Sequence, residues 1–199
     1  MSGNAVIVFV RAPRAGTVKT RLAASIGDEA ALRVYRRLAE RAVSEATASG
    51  AVVLVRFTPA DAGEELRKWL GDQPVFLPQG EGELGARMER AFTEAFAEGY
   101  SRVVIVGSDL PDLSAELLRR AFVALERAEA VVGPALDGGY YLLGLRESLP
   151  EIFRGVPWST VEVLACTLRA LGEQGITPVI LETLGDVDEA EDLPPGWVP

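Results

Sequence analysis

Positive charge is concentrated in one short stretch of an otherwise acidic chain. Arg11-Ala-Pro-Arg-Ala-Gly-Thr-Val-Lys-Thr-Arg21 carries four cations in eleven residues, whereas the whole sequence has 20 basic and 29 acidic residues and a net charge of −9. Eighteen of the basic residues are arginine, and only Lys19 and Lys68 are lysine, so a lysine in this loop stands out. Pro13 and Gly16 give the stretch a turn, and a helical pattern follows. Backbone amides at a helix start, together with Lys19 and Arg21, form a cradle for a phosphate chain; a solvated basic turn is the structural alternative. A Walker A loop is excluded, because GxxxxGK[ST] would need glycine at Pro13 and Val18.

Carboxylates provide the complementary chemistry. Asp109, in Gly107-Ser-Asp-Leu-Pro-Asp112, follows an apolar run by a few residues and suits Mg2+, which prefers carboxylate, water and phosphate oxygens. Ser114 is the better helix cap there, and a turn or cap explains Asp112. In Gly133-Pro-Ala-Leu-Asp-Gly-Gly-Tyr-Tyr141, Asp137 and its two glycines read as a hairpin turn or as a close approach of backbone to ligand. Trp158 precedes Ser159 and Glu162, which fit a capping box, so the indole is either a staple or a substrate platform. The segment 186–192 packs five acids into seven residues: a disordered acidic tail, or the site of a second metal carboxylate, for which Asp188 is the choice.

Composition removes most rival chemistries. With no histidine there is no Ser-His-Asp or Cys-His system, no histidine-containing zinc site and no histidine proton shuttle. A lone cysteine, Cys166, excludes internal disulfides, cysteine zinc sites and iron–sulfur ligation. The net charge argues against broad nucleic-acid binding. Apolar runs are strand-length, as in AVVLV at 51–55, and the first one is too short for a signal peptide, so a cytoplasmic protein with no membrane contact is expected.

Those residues must be positioned by alternating elements. Valine- and isoleucine-rich runs predict strands over 5–10, 51–57, 74–77, 102–106, 130–132, 140–145 and 179–184. Helical patterns fill 28–49, 63–70, 84–98, 114–128 and 160–173, several ended by glycine. Continuous apolar strands between helices imply an α/β fold, a mainly parallel central sheet with helices on both faces, and no linker divides 1–199 into more than one domain. In such sheets ligands bind beyond the carboxyl ends of the strands, where the segments above begin.

VKTRL at 18–22, GSDLP at 107–111, GPALDGGYYLLGL at 133–145, PWST at 157–160 and DVDEAED at 186–192 resemble, in this order, a family of glycosyltransferase-A-like transferases associated with radical-SAM and selenium-domain gene sets. The resemblance spans residues 6–193. That family is similar to phospholactate guanylyltransferase, through VKTRLA, and to the molybdenum-cofactor guanylyltransferase, through the acidic ending, although Glu189-Ala190 stands where Thr-Pro is common. The resemblance implies a Rossmann-like nucleotide-diphospho-sugar transferase fold. It implies Mg2+, or Mn2+ in its place, on Asp109 and Asp188; a triphosphate held by Arg11, Gly16, Lys19 and Arg21 beside Ser108; base or ribose near Gln79, Gly82 and Gly85; and an acceptor near Asp137, Gly138, Gly139, Tyr140, Trp158 and Ser159.

The expected reaction is nucleotidyl transfer from a nucleoside triphosphate to a small phosphate-bearing acceptor, with release of pyrophosphate. Lys19 and Arg21 would stabilise the charge developing on the leaving group. A glycosyltransferase using a nucleotide-sugar donor, with Asp137 as base, is the alternative, and a non-catalytic nucleotide-binding module the third. The chain would act alone or as a homodimer.

Overall fold

Period-two alternation decides which helices each strand meets. In the computed structural model, which describes residues 3–197, β1 (Gly3–Arg11) sends Val6, Val8 and Val10 to one face and Ala5 and Ile7 to the other. The four terminal residues of the expected 1–199 span lie outside the described residues. β2 (Val52–Thr58), β3 (Val75–Pro78), β4 (Tyr100–Val106), β5 (Ala130–Pro134), β6 (Tyr140–Leu145) and β7 (Val179–Ile180) complete one seven-stranded sheet in the order β3-β2-β1-β4-β6-β5-β7. β1 pairs in parallel with β2 and β4 (Ile7 opposite Leu54 and Ile105), and only β6 runs against its neighbours.

Helices cover both faces. α2 (Asp28–Ala48), α3 (Gly63–Leu70) and α5 (Ala115–Ala124) bury Ala42, Ala46, Leu66, Leu118 and Phe122 against the valines of β1, β2 and β4. α4 (Leu84–Ala97) and α6 (Val163–Glu173) pack Met88, Phe92 and Leu171 onto the Ile7, Ile105 and Leu143 side. The fold is thus the expected α/β sandwich with a mostly parallel sheet. Among the described residues no helix is long and apolar enough to cross a membrane.

Four local expectations are corrected. A short helix, α1 (Thr20–Ile26), follows the basic loop and buries Leu22 against α2. The predicted strand over 179–184 shrinks to Val179–Ile180 with one further bridge, Ala135 to Leu184, because Pro134 has no N–H to continue the ladder. α6 starts at Val163, not at 160. Ser159 and Glu162 form no capping box: Ser159 has φ 64, and Thr160 Oγ1 accepts from the Glu162 N–H at 3.3 Å instead. Ser114 does cap α5, accepting from the Leu117 N–H at 3.2 Å.

Candidate active site

The carboxyl ends of β1 and β4, the α1 start and the C-terminal segment converge on one point. Lys19 is the N-cap residue of α1, held in the left-handed region at φ 48, and its side chain is only 7% exposed. Its Nζ donates to Asp109 Oδ2 at 3.1 Å and to Asp188 Oδ1 at 3.0 Å, joining positions 90 and 169 residues away. Burial works against the ammonium, but the two carboxylates outweigh it and raise the Lys19 pKa. Arg21 NH1 binds the other Asp188 oxygen at 3.1 Å and is largely exposed.

The acidic ending is folded, not a loose tail. Val187 is fully buried with Leu22, Ala31, Val34 and Leu38, and Arg37 lies over the Trp197 ring at 4.0 Å. Asp192 accepts from the Asp188 and Glu189 N–H groups, within a capping box formed by Glu189 and Asp192. The Val187 N–H also bonds the Asp109 carbonyl at 3.1 Å, which ties the ending to the β4 exit. Asp186 and Asp188, two apart on an extended stretch, therefore face Asp109 together. One oxygen from each of the three acids lies within 4.8 Å of the others. Burial first, and then the Asp109 charge, raise the Asp186 pKa. Three converging carboxylates are a hard-oxygen donor set suited to Mg2+ or Mn2+.

Gly107 leaves room for the Asp109 carboxylate: a Cβ there would lie 2.7 Å from Asp109 Oδ1, so the carboxylate would have to shift. A cavity of about 660 Å³ opens over this point, lined by Arg11, Lys19, Arg21, Gln79, Arg87, Ser108, Asp109 and Asp188. Arg11 is fixed through its backbone, where the Tyr35 hydroxyl accepts from its N–H at 2.7 Å and donates to its carbonyl at 2.9 Å. Burial pushes the Tyr35 phenol up to about 12. Gln79 is anchored by its amide, which donates to the Arg56 carbonyl at 3.1 Å, while its Oε1 accepts from Arg87 at 3.2 Å. Arg14, by contrast, turns away to Glu65 at 3.0 Å.

A second cavity, about 570 Å³, shares Arg21, Asp109, Ser159 and Asp188 with the first and continues past them. Tyr140, Tyr141, Met88, Leu110, Trp158 and Val163 supply its apolar wall, and Asp137 and Asp186 its further charge. Asp137 sits in the β5–β6 turn, with Oδ1 accepting from the Gly139 N–H at 2.8 Å, so the hairpin turn and the cavity-lining position are the same feature. Trp158 reaches the cavity and also stacks on Phe153, with centroids 6.4 Å apart.

Gly16, Gly82, Gly85 and Gly138, expected near ligand, line neither cavity. What the structure shows at them is backbone conformation and packing. Gly16, Gly82 and Gly138 hold φ of 73, 102 and 88, and a Cβ on Gly85 would sit 2.4 Å from the Trp158 indole. Sequence reasoning missed Asp186, Arg87 and Tyr35. For Asp186 a signal existed, its i−2 spacing from Asp188; for Tyr35 and Arg87, one residue among many on a helix, there was none.

Residues 41–160 match the family described as an uncharacterized protein conserved in bacteria (DUF2064). The structure is similar to that of a candidate nucleotide-diphospho-sugar transferase from Desulfovibrio desulfuricans G20, with TM-score 0.91 and 36% identity over 95% of this chain and 84% of that one. Similarity of fold alone extends to CMP:2-keto-3-deoxy-manno-octonic acid synthetase complexed with CTP (TM-score 0.57, 12% identity, 96% of this chain and 95% of that one). It extends also to a Mycobacterium tuberculosis H37Rv protein in complex with manganese (TM-score 0.51, 15% identity, 96% and 95% covered). No curated protein sequence matches the chain.

Proposed function

The chain belongs to the DUF2064 family, and we propose that it is a metal-dependent transferase that moves a nucleotidyl group from a nucleoside triphosphate to a small acceptor. One observation carries this reading: Lys19 lies between Asp109 and Asp188 where the cation-lined cavity meets the acid cluster. A nucleotidyl transfer needs its leaving pyrophosphate neutralised and its α-phosphorus positioned, and here both kinds of group meet. Two structures of similar fold are complexes with CTP and with manganese, the two kinds of ligand this reading calls for.

Asp109, Asp186 and Asp188 would hold the metal, which supplies Lewis-acid polarisation of phosphate oxygens when bound. Until then the Lys19 ammonium occupies the space between the carboxylates. With Arg11 and Arg21, which line the first cavity beside it, Lys19 would neutralise the phosphates of a bound triphosphate. α1 is under two turns long, so charged side chains, more than a helix dipole, bear the anion. Gln79 and Arg87, hydrogen-bonded to each other, also line that cavity and are the residues near which base or ribose would lie. The guanylyltransferase resemblance makes GTP the first donor to test.

Pyrophosphate release on mixing with Mg2+ and GTP or CTP tests the reading. Inertness toward all four triphosphates, with turnover of a UDP- or GDP-sugar, transfers the assignment to glycosyl transfer. That second reading is favoured by the Desulfovibrio relative's description and by Asp137 in the second cavity, where a hydroxyl acceptor would need a base.

A further inference from the structure

The second cavity differs from a phosphate-binding site in charge and surface. Its lining offers one cation, Arg21, already paired with Asp188, against Asp109, Asp137, Asp186 and Asp188. With Asp109, Asp186 and Asp188 set aside as the proposed metal ligands, Asp137 is the remaining anion of the lining, and its one cation is already paired. The wall is aromatic and built to be so. Gly85 and Gly133 leave room for Trp158 and Tyr141 to lie flat, since a Cβ would come within 2.4 and 2.3 Å of those rings. The lining includes Val161, which is 76% exposed, and the equally exposed Leu136 directly precedes Asp137 in the chain.

We infer that the acceptor is an uncharged, hydroxyl-bearing molecule with an apolar body, and carries no phosphate; this rests on the transferase reading above. Its apolar face packs on Trp158 and Tyr140, and its hydroxyls donate to carboxylate oxygens, the arrangement of a ligand pocket with few, placed polar groups. The hydroxyl oxygen bonds to the α-phosphorus, the bond from that phosphorus to the β-bridging oxygen breaks, and pyrophosphate leaves with the electron pair. The hydroxyl proton passes to Asp137 Oδ2, since Oδ1 is occupied by the Gly139 N–H. Unlike a phosphate acceptor, an alcohol needs this base, and the chain has no histidine to act as one.

The test uses the full chain with Mg2+ and each triphosphate, and three probes: phenyl β-D-glucoside, its 6-phosphate, and glucose 1-phosphate. Tryptophan fluorescence reads the second cavity, with Trp158→Phe identifying the responding indole, because Trp69 and Trp197 line neither cavity. The glucoside should change the wild-type signal and not that of Trp158→Phe, both phosphates should bind at least ~10-fold more weakly, and Asp137→Asn should slow glucoside-dependent pyrophosphate release ~100-fold at unchanged triphosphate affinity. Tighter binding of either phosphate, or no response of Trp158 to any probe, overturns the inference. Glucoside binding with no binding of any triphosphate sinks the nucleotidyl reading instead and leaves the cavity's assignment standing.

Discussion

The two cavities share Arg21, Asp109, Ser159 and Asp188 and differ in the charge and surface of what lies beyond them. The first gathers Arg11 from the end of β1, Lys19 and Arg21 from the start of α1 and Arg87 from α4; the second lines itself with Tyr140, Tyr141 and Trp158 around the antiparallel β6. Charge is cheap to bring to a strand end, where side chains reach water. A flat aromatic wall needs glycine behind it, and Gly85 and Gly133 meet that need. One cavity is therefore specified by local charge, the other by long-range packing, and substitutions should separate them.

Asp109→Asn strikes the shared wall and should have the largest effect, lowering kcat by about 10²–10³-fold and abolishing Mn2+ binding in calorimetry. Retained metal affinity would move the metal off these acids. Lys19→Met should split two properties. Turnover falls roughly 100-fold because the phosphates lose a cation, while Mn2+ binds the nucleotide-free protein more tightly because no ammonium competes for Asp109 and Asp188. Weaker Mn2+ binding in that variant would contradict the placeholder role.

Gly85→Ala should touch the second cavity alone. The added methyl displaces Trp158, raising KM for the acceptor about 10-fold while triphosphate affinity stays within a factor of two, read by steady-state kinetics and equilibrium binding. Tyr35→Phe should have the smallest effect, ~1–2 kcal/mol of stability by denaturant titration, since it leaves the Arg11 N–H without its partner. It also changes the alkaline profile. The folded phenol titrates near 12, above its ordinary value of 10.0, so its contribution is complete below about pH 10 and is lost as pH rises through 12. The variant should flatten the wild-type decline within that window.

Much of the fold was legible because strands here are continuous apolar runs and helices are periodic, so β1, β2, α2 and α4 stand close to their expected bounds. α1 was expected only as a helix start behind the basic loop, without bounds of its own, because its seven residues follow a Pro/Gly turn and bury only Leu22. β7 was overextended because periodicity does not register the missing N–H of Pro134. In the site, Asp109, Asp188 and Lys19, singled out by type and place, come together, whereas Gly82 and Gly85, expected near base or ribose, line neither cavity and show a left-handed φ and a neighbouring indole.

The sequence by itself determined the available chemistry: no histidine, a single cysteine, a basic loop and carboxylates after apolar runs. Those are properties of composition and near-neighbour spacing, and folding cannot alter them. Only the tertiary structure decided that Lys19 meets both Asp109 and Asp188, that Asp186 joins them, and that Trp158 lies on Gly85 to wall a second cavity. Such contacts span 73 to 169 residues and depend on the buried Val187 anchor and on strand order, quantities set by packing and not by local pattern.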